Sequence, residues 1–328
     1  MLNRRQALGA AIGAIAADGV RAGRLQAETL DRVVHIIVGF PPGGGTDIVA
    51  RVLAQALQGS YAASIIVENR PGASARLAVE YVKNAPADGS VMLFTPDFPM
   101  TLYPSSFKAL KYDPVEDFIA VGPATTGKLV LSIGPAVPAE VKTLKDYIAW
   151  CKANPDKTNI ADTSAGATPH FTSVMLAQEA KIKLTPVHYR GGAPAMEDLI
   201  GGHVPASVNP VSEVMAFAQA GSIRALAVTG EQRTPFLPDV PTMKEQGYNV
   251  VVESLVGVFA PAKTPAPIVA ALNAAIRKAV ASKDMIDSLA KFGTEPASMS
   301  TAEYTAWVKK EIVRWGAVVK ASGFQALD

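Results

Sequence analysis

Apolar and polar positions along this chain fall into two rhythms that alternate. "VVHIIVGF" (33–40) is a β-branched run with no helical period, which predicts a buried strand. The apolar positions of "IVARVLAQAL" recur at helical spacing, which predicts a helix over 46–58. "SIIVENR" predicts a second strand, ended by Pro71-Gly72, and "ARLAVEYVKNA" a helix stopped by Pro86. "SVMLFTP" predicts a third strand. A βαβαβ series of this kind implies a largely parallel, doubly wound sheet.

Residues 97–123 carry four prolines and a polar turn, "YDPVED", and predict no regular element. A strand is predicted at 129–133 ("LVLSI"). In "TLKDYIAWCKANP", Thr143 and Asp146 read as a helix cap. The same grammar then recurs: strands in "TNIADTS", "LTPVHYR", "VPASVNP" and "IRALAVTG" alternate with helices in "FTSVMLAQEA", "GGAPAMEDLIGG" and "VSEVMAFAQAG". A proline-rich excursion ("TPFLPDVPT"), a strand near "LVGVFAP" and two amphipathic helices, near 265–282 and 301–321, complete the chain. Twice, once in each half, a strand runs through a Gly-containing loop into a helix N-terminus.

Composition narrows what such a fold does. The 328 residues are 49% hydrophobic and 18% charged, enough apolar content for two ordinary domains and too much for global disorder. Lys plus Arg is 31 against 29 Asp plus Glu, a net charge of +2, so there is no electrostatic footprint for nucleic acid or an anionic membrane. Cys151 stands alone, which excludes an internal disulfide and a cysteine-based zinc site. The histidines (His35, His170, His188, His203) form no i,i+4 pair and no H-E-x-x-H, so no metal or other cofactor is expected.

The N-terminus has a basic start with Arg4-Arg5, a small-residue apolar stretch, and Ala-ended cleavage options near Ala22 or Ala27. This is the plan of an export signal over residues 1–27, of twin-arginine type. The apolar part is too short to span a bilayer, which takes ~20 apolar residues. The expectation is a periplasmic protein whose signal is removed.

Two loops carry candidate chemistry. In "GFPPGGGTD" the glycines open a helix N-terminus, where unpaired backbone N–H groups and the helix dipole attract an anion without any Lys or Arg. Neither phosphate pattern fits. No Lys follows the glycines, and Ile48 stands where a third dinucleotide-loop Gly belongs. A carboxylate suits the loop better than a phosphate, because Asp47 sits inside the helix start. The other reading is a tight βα turn with no ligand. The second loop, "DTSAGATPH", offers Ser164, Thr168, the Ala165–Gly166 backbone and His170. His170 reads either as a donor to a ligand or as a buried ring satisfied by a carbonyl. Ser164 is no nucleophile elbow, because Asp162 stands where Gly is required. Asp97, after the third strand, reads either as a cleft residue or as an exposed turn acid.

A series of segments in order resembles the Bug family, the periplasmic solute receptors of tripartite tricarboxylate transporters: "GFPPGGGTDIVAR", "IVENRPGA", "PADGSVML", "KYDPVEDF", "AGATPHF", "VHYRGGAPAMEDLIGGHV", "RALAVTGEQRTPFLPDVPT", "VGVFAPAKTP" and "EIVRWGAVVKASG". The resemblance implies a two-lobed α/β periplasmic binding protein of the type II Venus-flytrap kind, each lobe a doubly wound, mostly parallel sheet with flanking helices. It implies residues 28–124 plus 228–328 as one lobe and 125–227 as the other, hinged near Gly122–Thr126 and Thr229–Gly230. It implies a non-enzymatic monomer that holds a small carboxylate between its lobes and delivers it to membrane transporter subunits. Carried over by position, Phe40, Pro41, Pro42, Gly43, Gly44, Gly45 and Thr46 form the first anchor. Ser164, Ala165, Gly166, Thr168 and His170 form the second, with Tyr189 and Asn209 facing the cleft. Where the family often has "GAGGNIG", this chain has "ASARLAVE", which sets Arg76 and Leu77 near a helix start; Ala167 replaces a hydroxyl residue common in the family. Two alternatives remain open at this point: a receptor read by a signalling partner, and an α/β enzyme using Ser164 and His170 or Asp97.

Overall fold

The computed structural model describes residues 30–328; the expected export signal lies outside the described residues. Strand β1 (Leu30–Val38) leads through the glycine loop into helix α1 (Gly45–Leu57), and β2 (Ala62–Asn69), α2 (Arg76–Lys83) and β3 (Val91–Pro96) follow. Two short helices, α3 (Phe98–Thr101) and α4 (Tyr103–Ser106), precede the long strand β4 (Phe118–Ile133). Then come α5 (Leu144–Ala153), β5 (Asn159–Asp162), α6 (Thr168–Ala180), β6 (Thr185–His188), α7 (Gly192–Ile200), β7 (Ala206–Pro210), α8 (Val211–Gln219) and β8 (Arg224–Val228). The chain closes with β9 (Glu253–Pro261), α9 (Ala266–Val280), α10 (Lys283–Ala290), β10 (Glu295–Pro296) and α11 (Thr301–Ser322).

The strands form two sheets that share β4. In the first, β2, β1 and β3 are parallel, β9 lies antiparallel between β3 and β4, and β10 edges β4. In the second, β6, β5 and β7 are parallel, while β4 runs antiparallel to β7 and β8. The β-α-β runs legible in the sequence supply the parallel strands; β4, which both sheets share, and β8, β9 and β10, which pair with it, supply the antiparallel ones.

Several elements differ from the sequence expectation. α3 and α4 form inside residues 97–123, each with a proline in its first turn, and β10 adds a two-residue strand. β4 begins at Phe118, not near residue 129, because Gly122 and Pro123 interrupt its β pattern. Its register against β9 shifts at both places, between Ala120 and Gly122 and again between Pro123 and Thr125. A proline has no N–H for the ladder, and a bulge absorbs the loss. α10 is an extra helix after Ser282, whose hydroxyl accepts from the Met285 N–H and restarts the helix where α9 ends.

β4 changes partners between Lys128, opposite Glu253 on β9, and Leu129, opposite Pro210 on β7. The chain returns beside this point, and buried Thr229 ties the crossing together. Its hydroxyl accepts from the Leu129 N–H at 3.0 Å and donates to the Val252 carbonyl at 2.5 Å. Its own N–H reaches the Leu129 carbonyl at 3.0 Å.

Three apolar clusters cover the sheets from their own sides. One fills the first sheet's face under α1, α9 and α10, a second packs its other face under α2 and α11, and a third lies under α7 and α8. A further cluster crosses between sheets. It joins Phe98, Tyr103 and Phe107 to Phe171 and Ile160 through Trp315 and Val319 of α11. Among the described residues, no helix is long and apolar enough to cross a membrane.

Candidate functional site

The opening loop is shaped by Asp47, which is buried. Its carboxylate accepts from the Gly43 N–H at 2.9 Å, from Arg51 Nε at 3.0 Å and Nη2 at 2.9 Å, and from Asn69 Nδ2 at 2.8 Å. Burial opposes its charge, but Arg51, Gly43 and Asn69 outweigh that and hold its pKa below the ordinary carboxylate value. Asn69 also donates to the Phe40 carbonyl at 3.0 Å. Gly43 takes φ +82°, the left-handed region that a Cβ disfavours. The first intrahelical bond of α1 is Ile48 N–H to Gly44 O, at 3.0 Å. The N–H groups of Gly45, Thr46 and Asp47 therefore point out of the helix end with no protein acceptor among the described residues.

This helix end opens on a cleft of about 390 Å³ between the two sheets. Three more helix N-termini reach the same space: α6 with Thr168 and Pro169, α7 with Gly191 to Pro194, and α8 with Val211 to Glu213. A Cβ on Gly45 would meet Ser212 Oγ of α8 at 3.3 Å, so α1 and α8 approach end to end. None of these four helices has a side-chain cap; their N-cap residues are Gly44, Ala167, Gly191 and Pro210. Away from the cleft, α5, α10 and α11 are capped by Thr143, Ser282 and Ser300, while α2 and α9 are not. Converging, uncapped helix N-termini concentrate positive potential and free N–H donors, the two things an oxyanion needs.

Between these ends the lining is apolar, with Phe40, Val49, Phe98, Leu129, Val211 and Val256. Lys128, Arg190 and Glu213 are its charged members. Lys128 Nζ is already paired with Glu295 at 3.0 Å.

The first anchor lines the cleft throughout, from Phe40 to Thr46. The second does so only at Thr168. Ser164, Ala165 and Gly166 do not line the cleft, and neighbouring loops hold Ser164 and Gly166. Ser164 Oγ donates to Ser74 Oγ at 3.0 Å, and Ser106 Oγ donates to the Gly166 carbonyl at 3.1 Å. His170 is buried outside the cleft lining. Its Nδ1 accepts from the Gly166 N–H at 3.1 Å, and its ring lies edge-on to His188 and Phe324. Burial, with a smaller push from His188, drives its pKa down to about 4, so it is neutral at pH 7. His188 has its pKa raised by its hydrogen bond to Asp162. Ser164 and His170 are thus committed to different partners and form no nucleophile–base pair.

Tyr189 points to α7, where its hydroxyl donates to Asp198 at 2.6 Å. Asn209 lies behind the lining and donates to Glu213 Oε2 at 3.1 Å. Asp97 is neither an exposed turn acid nor a lining residue; Pro96 and Phe98 on either side line the cleft instead. Its carboxyl is buried behind Ser254, whose hydroxyl donates to Oδ1, while Oδ2 has no partner among the described residues. Desolvation pushes its pKa up to about 7.

The residues that replace the family's glycines do not reach the cleft either. Ala73, Ser74 and Ala75 keep left-handed φ values of 46°, 55° and 71° without glycine. Arg76 stacks on Phe107, 4.0 Å from the ring centroid, with Nε on the Ala73 carbonyl. Leu77 is exposed.

Sequence reasoning missed the α7 and α8 starts, Thr163, Lys128, Ser254 and Glu213. A signal was present: "RGGAP" puts glycines directly before a helix, as "PGGGT" does.

Comparisons with known proteins agree with this geometry. Residues 49–324 match the protein family described as "Tripartite tricarboxylate transporter family receptor". BugT of Bordetella pertussis is 32% identical over 317 residues, covering 96% of this chain and 97% of BugT. The solved structure of Rhodopseudomonas palustris Rpa4515 with adipate is 31% identical, covers 89% of this chain and 97% of that one, and superposes with a TM-score of 0.84. MatC from the same species with bound malate is 28% identical, covers 88% and 99%, and has a TM-score of 0.80. By family match, by identity over nearly its whole length and by fold, this chain belongs to the tripartite tricarboxylate transporter receptor family.

Proposed function

We propose that this chain captures a carboxylate-bearing solute in the cleft between its two sheets, after export to the periplasm, and hands it to membrane subunits of a tripartite tricarboxylate-type transporter. The observation that carries the reading is the convergence of four uncapped helix N-termini, α1, α6, α7 and α8, on one cleft. The carboxylate sits at Gly44–Thr46, where free N–H groups and the α1 dipole act together. Thr168 faces it from the second sheet. Adipate in Rpa4515 and malate in MatC support the ligand class.

The lobes divide where β4 changes partners, so that residues 28–124 and 228–328 form one lobe and 125–227 the other, to within a few residues at Lys128–Leu129. The chain acts as a monomer and performs no chemistry on its ligand. Ser164, Gly166, His170, Tyr189, Asn209 and Asp97 hold the lining in place from behind.

A thermal-shift panel of mono-, di- and tricarboxylates, amino acids, their methyl esters, and inorganic phosphate tests the capture step. A ligand bound only by the folded state stabilises it by RT ln(1 + [L]/Kd). The expected result is a shift with at least one free carboxylate and none with its ester. Shifts with phosphate alone, or with no carboxylate at all, would refute the reading. Delivery is tested by uptake of the labelled ligand in cells with and without the gene; equal uptake would sever capture from transport.

A further inference from the structure

We propose that Glu213 selects the ligand, so that the carboxylate held at α1 comes with a hydrogen-bond donor for the Glu213 carboxyl, an ammonium group above all. The inference rests on the carboxylate-capture reading above and narrows it.

Glu213 lines the cleft from the first turn of α8. Its seat is built for a carboxyl. A Cβ on Gly192 would stand 1.8 Å from Oε2 and 2.5 Å from Oε1, so only glycine at the start of α7 leaves room for it. From behind, Ser207 Oγ donates to Asn209 Oδ1 at 2.5 Å, which fixes the amide so that Nδ2 donates to Glu213 Oε2 at 3.1 Å. No cation pairs with this carboxyl among the described residues, for Lys128 is committed to Glu295 and Arg190 is exposed at the rim.

The remaining polar lining points the same way. While the Ser254 hydroxyl donates to Asp97, it presents only lone pairs toward the cleft. The α1 end therefore offers donors, and the Glu213 and Ser254 positions offer acceptors. Apolar side chains such as Phe40, Phe98, Leu129 and Val256 make up much of the rest of the lining. Once Glu213 is ionised, a plain dicarboxylate would set its second charge against an acid that has no counter-ion. An amino-carboxylate supplies that counter-ion. Burial raises the Glu213 pKa to about 7, against a smaller opposing effect of the Asn209 hydrogen bond. An arriving ammonium group would hold the carboxyl ionised.

The test is calorimetric titration of the wild type and Glu213→Gln with two length-matched series: ε-aminocaproate, adipate and caproate, then para-aminomethylbenzoate, terephthalate and para-toluate. The expected result is that an amino member binds the wild type at least ~10-fold tighter than its matching dicarboxylate, a difference of about 1.4 kcal/mol. In Glu213→Gln that preference should vanish or invert, with the dicarboxylate gaining affinity. A wild type that binds the dicarboxylate as well as the amino member overturns the proposal, and that ranking is decisive even if the variant does not fold. A folded Glu213→Gln with unchanged ranking overturns it too. Binding of no member of either series would overturn the selection, while the capture reading stands or falls separately on the thermal-shift panel.

Discussion

Replacing Gly44 with Asp should separate binding from stability, pushing them in different directions. Gly44 is the N-cap of α1, with φ −73° and ψ 161°, the extended backbone in which Asp caps helices well. A Cβ there would meet only the Pro41 carbonyl, at 3.5 Å, an ordinary contact. The fold should therefore keep its stability or gain a few tenths of a kcal/mol from the new cap, less the repulsion from Asp47 three residues on. Binding should collapse, because the new carboxylate accepts from the same N–H groups as the ligand and repels its charge. At 4 Å two like charges cost ~1 kcal/mol in water and ~4 kcal/mol at an effective dielectric of 20. That weakens affinity by roughly 5-fold to several hundred-fold. In a melting assay at a ligand concentration of ~100 times the wild-type Kd, the wild type gains ~2.7 kcal/mol and the variant between ~1.8 and ~0.1. Gly44→Asn, with the same shape and capping power but no charge, should lose much less. Wild-type affinity in a folded Gly44→Asp would refute the placement of the anion at α1. An equal loss in Gly44→Asn would refute the electrostatic argument.

Asp97 and Glu213 have folded pKa values raised to about 7, so between the unfolded value near ~4 and pH 7 the native state binds more protons and stability falls as pH rises, by up to ~1.4 kcal/mol per pH unit for each group. His170, lowered to about 4, tilts the other way between pH 4 and 6.5, so the comparison must be made by difference. The stability of Asp97→Asn relative to wild type should climb from pH 4 to pH 7 in denaturant titrations, and a flat difference would mean that Asp97 titrates normally. Thr229→Val should cost ~1–3 kcal/mol in the same assay by leaving the buried Leu129 N–H and Val252 carbonyl without their hydroxyl partner; a cost under ~0.5 kcal/mol would show that the crossing does not depend on it. Gly192→Ala should leave the circular dichroism intact but displace the Glu213 carboxyl and change ligand affinity, which titration reads directly; unchanged affinity would detach that carboxyl from binding.

The parts of the molecule legible in the sequence are those governed by local rules. The β1–α1 loop could be read because proline, glycine and a buried acid act within a few residues, and the Thr143–Asp146 capping box because it is a four-residue device. The long first half of β4 was hidden, because its pairing with β9 lies more than a hundred residues away and overrides Gly122 and Pro123. Ser164 and His170 looked like site residues because hydroxyl and imidazole beside glycine resemble a binding loop. Their partners, Ser74 and the Gly166 backbone, are set by tertiary packing. Glu213 was passed over because an acid in a helix first turn is ordinary, and only the fold puts Gly192 against it.

The position of β9 has a consequence for how the molecule is made. In the first sheet it lies between β3 and β4, so that Leu93 pairs with Phe259 and Ile119 with Ala260. During synthesis or refolding from the N-terminus, β1, β2 and β3 can associate early, yet β3 then presents a bare apolar edge until residue 261 arrives. Such edges recruit other strands, and closing a sheet over so long a separation is slow. The first sheet is therefore the last to be completed, and a chain interrupted before Glu253 is exposed to aggregation rather than left as a smaller working protein.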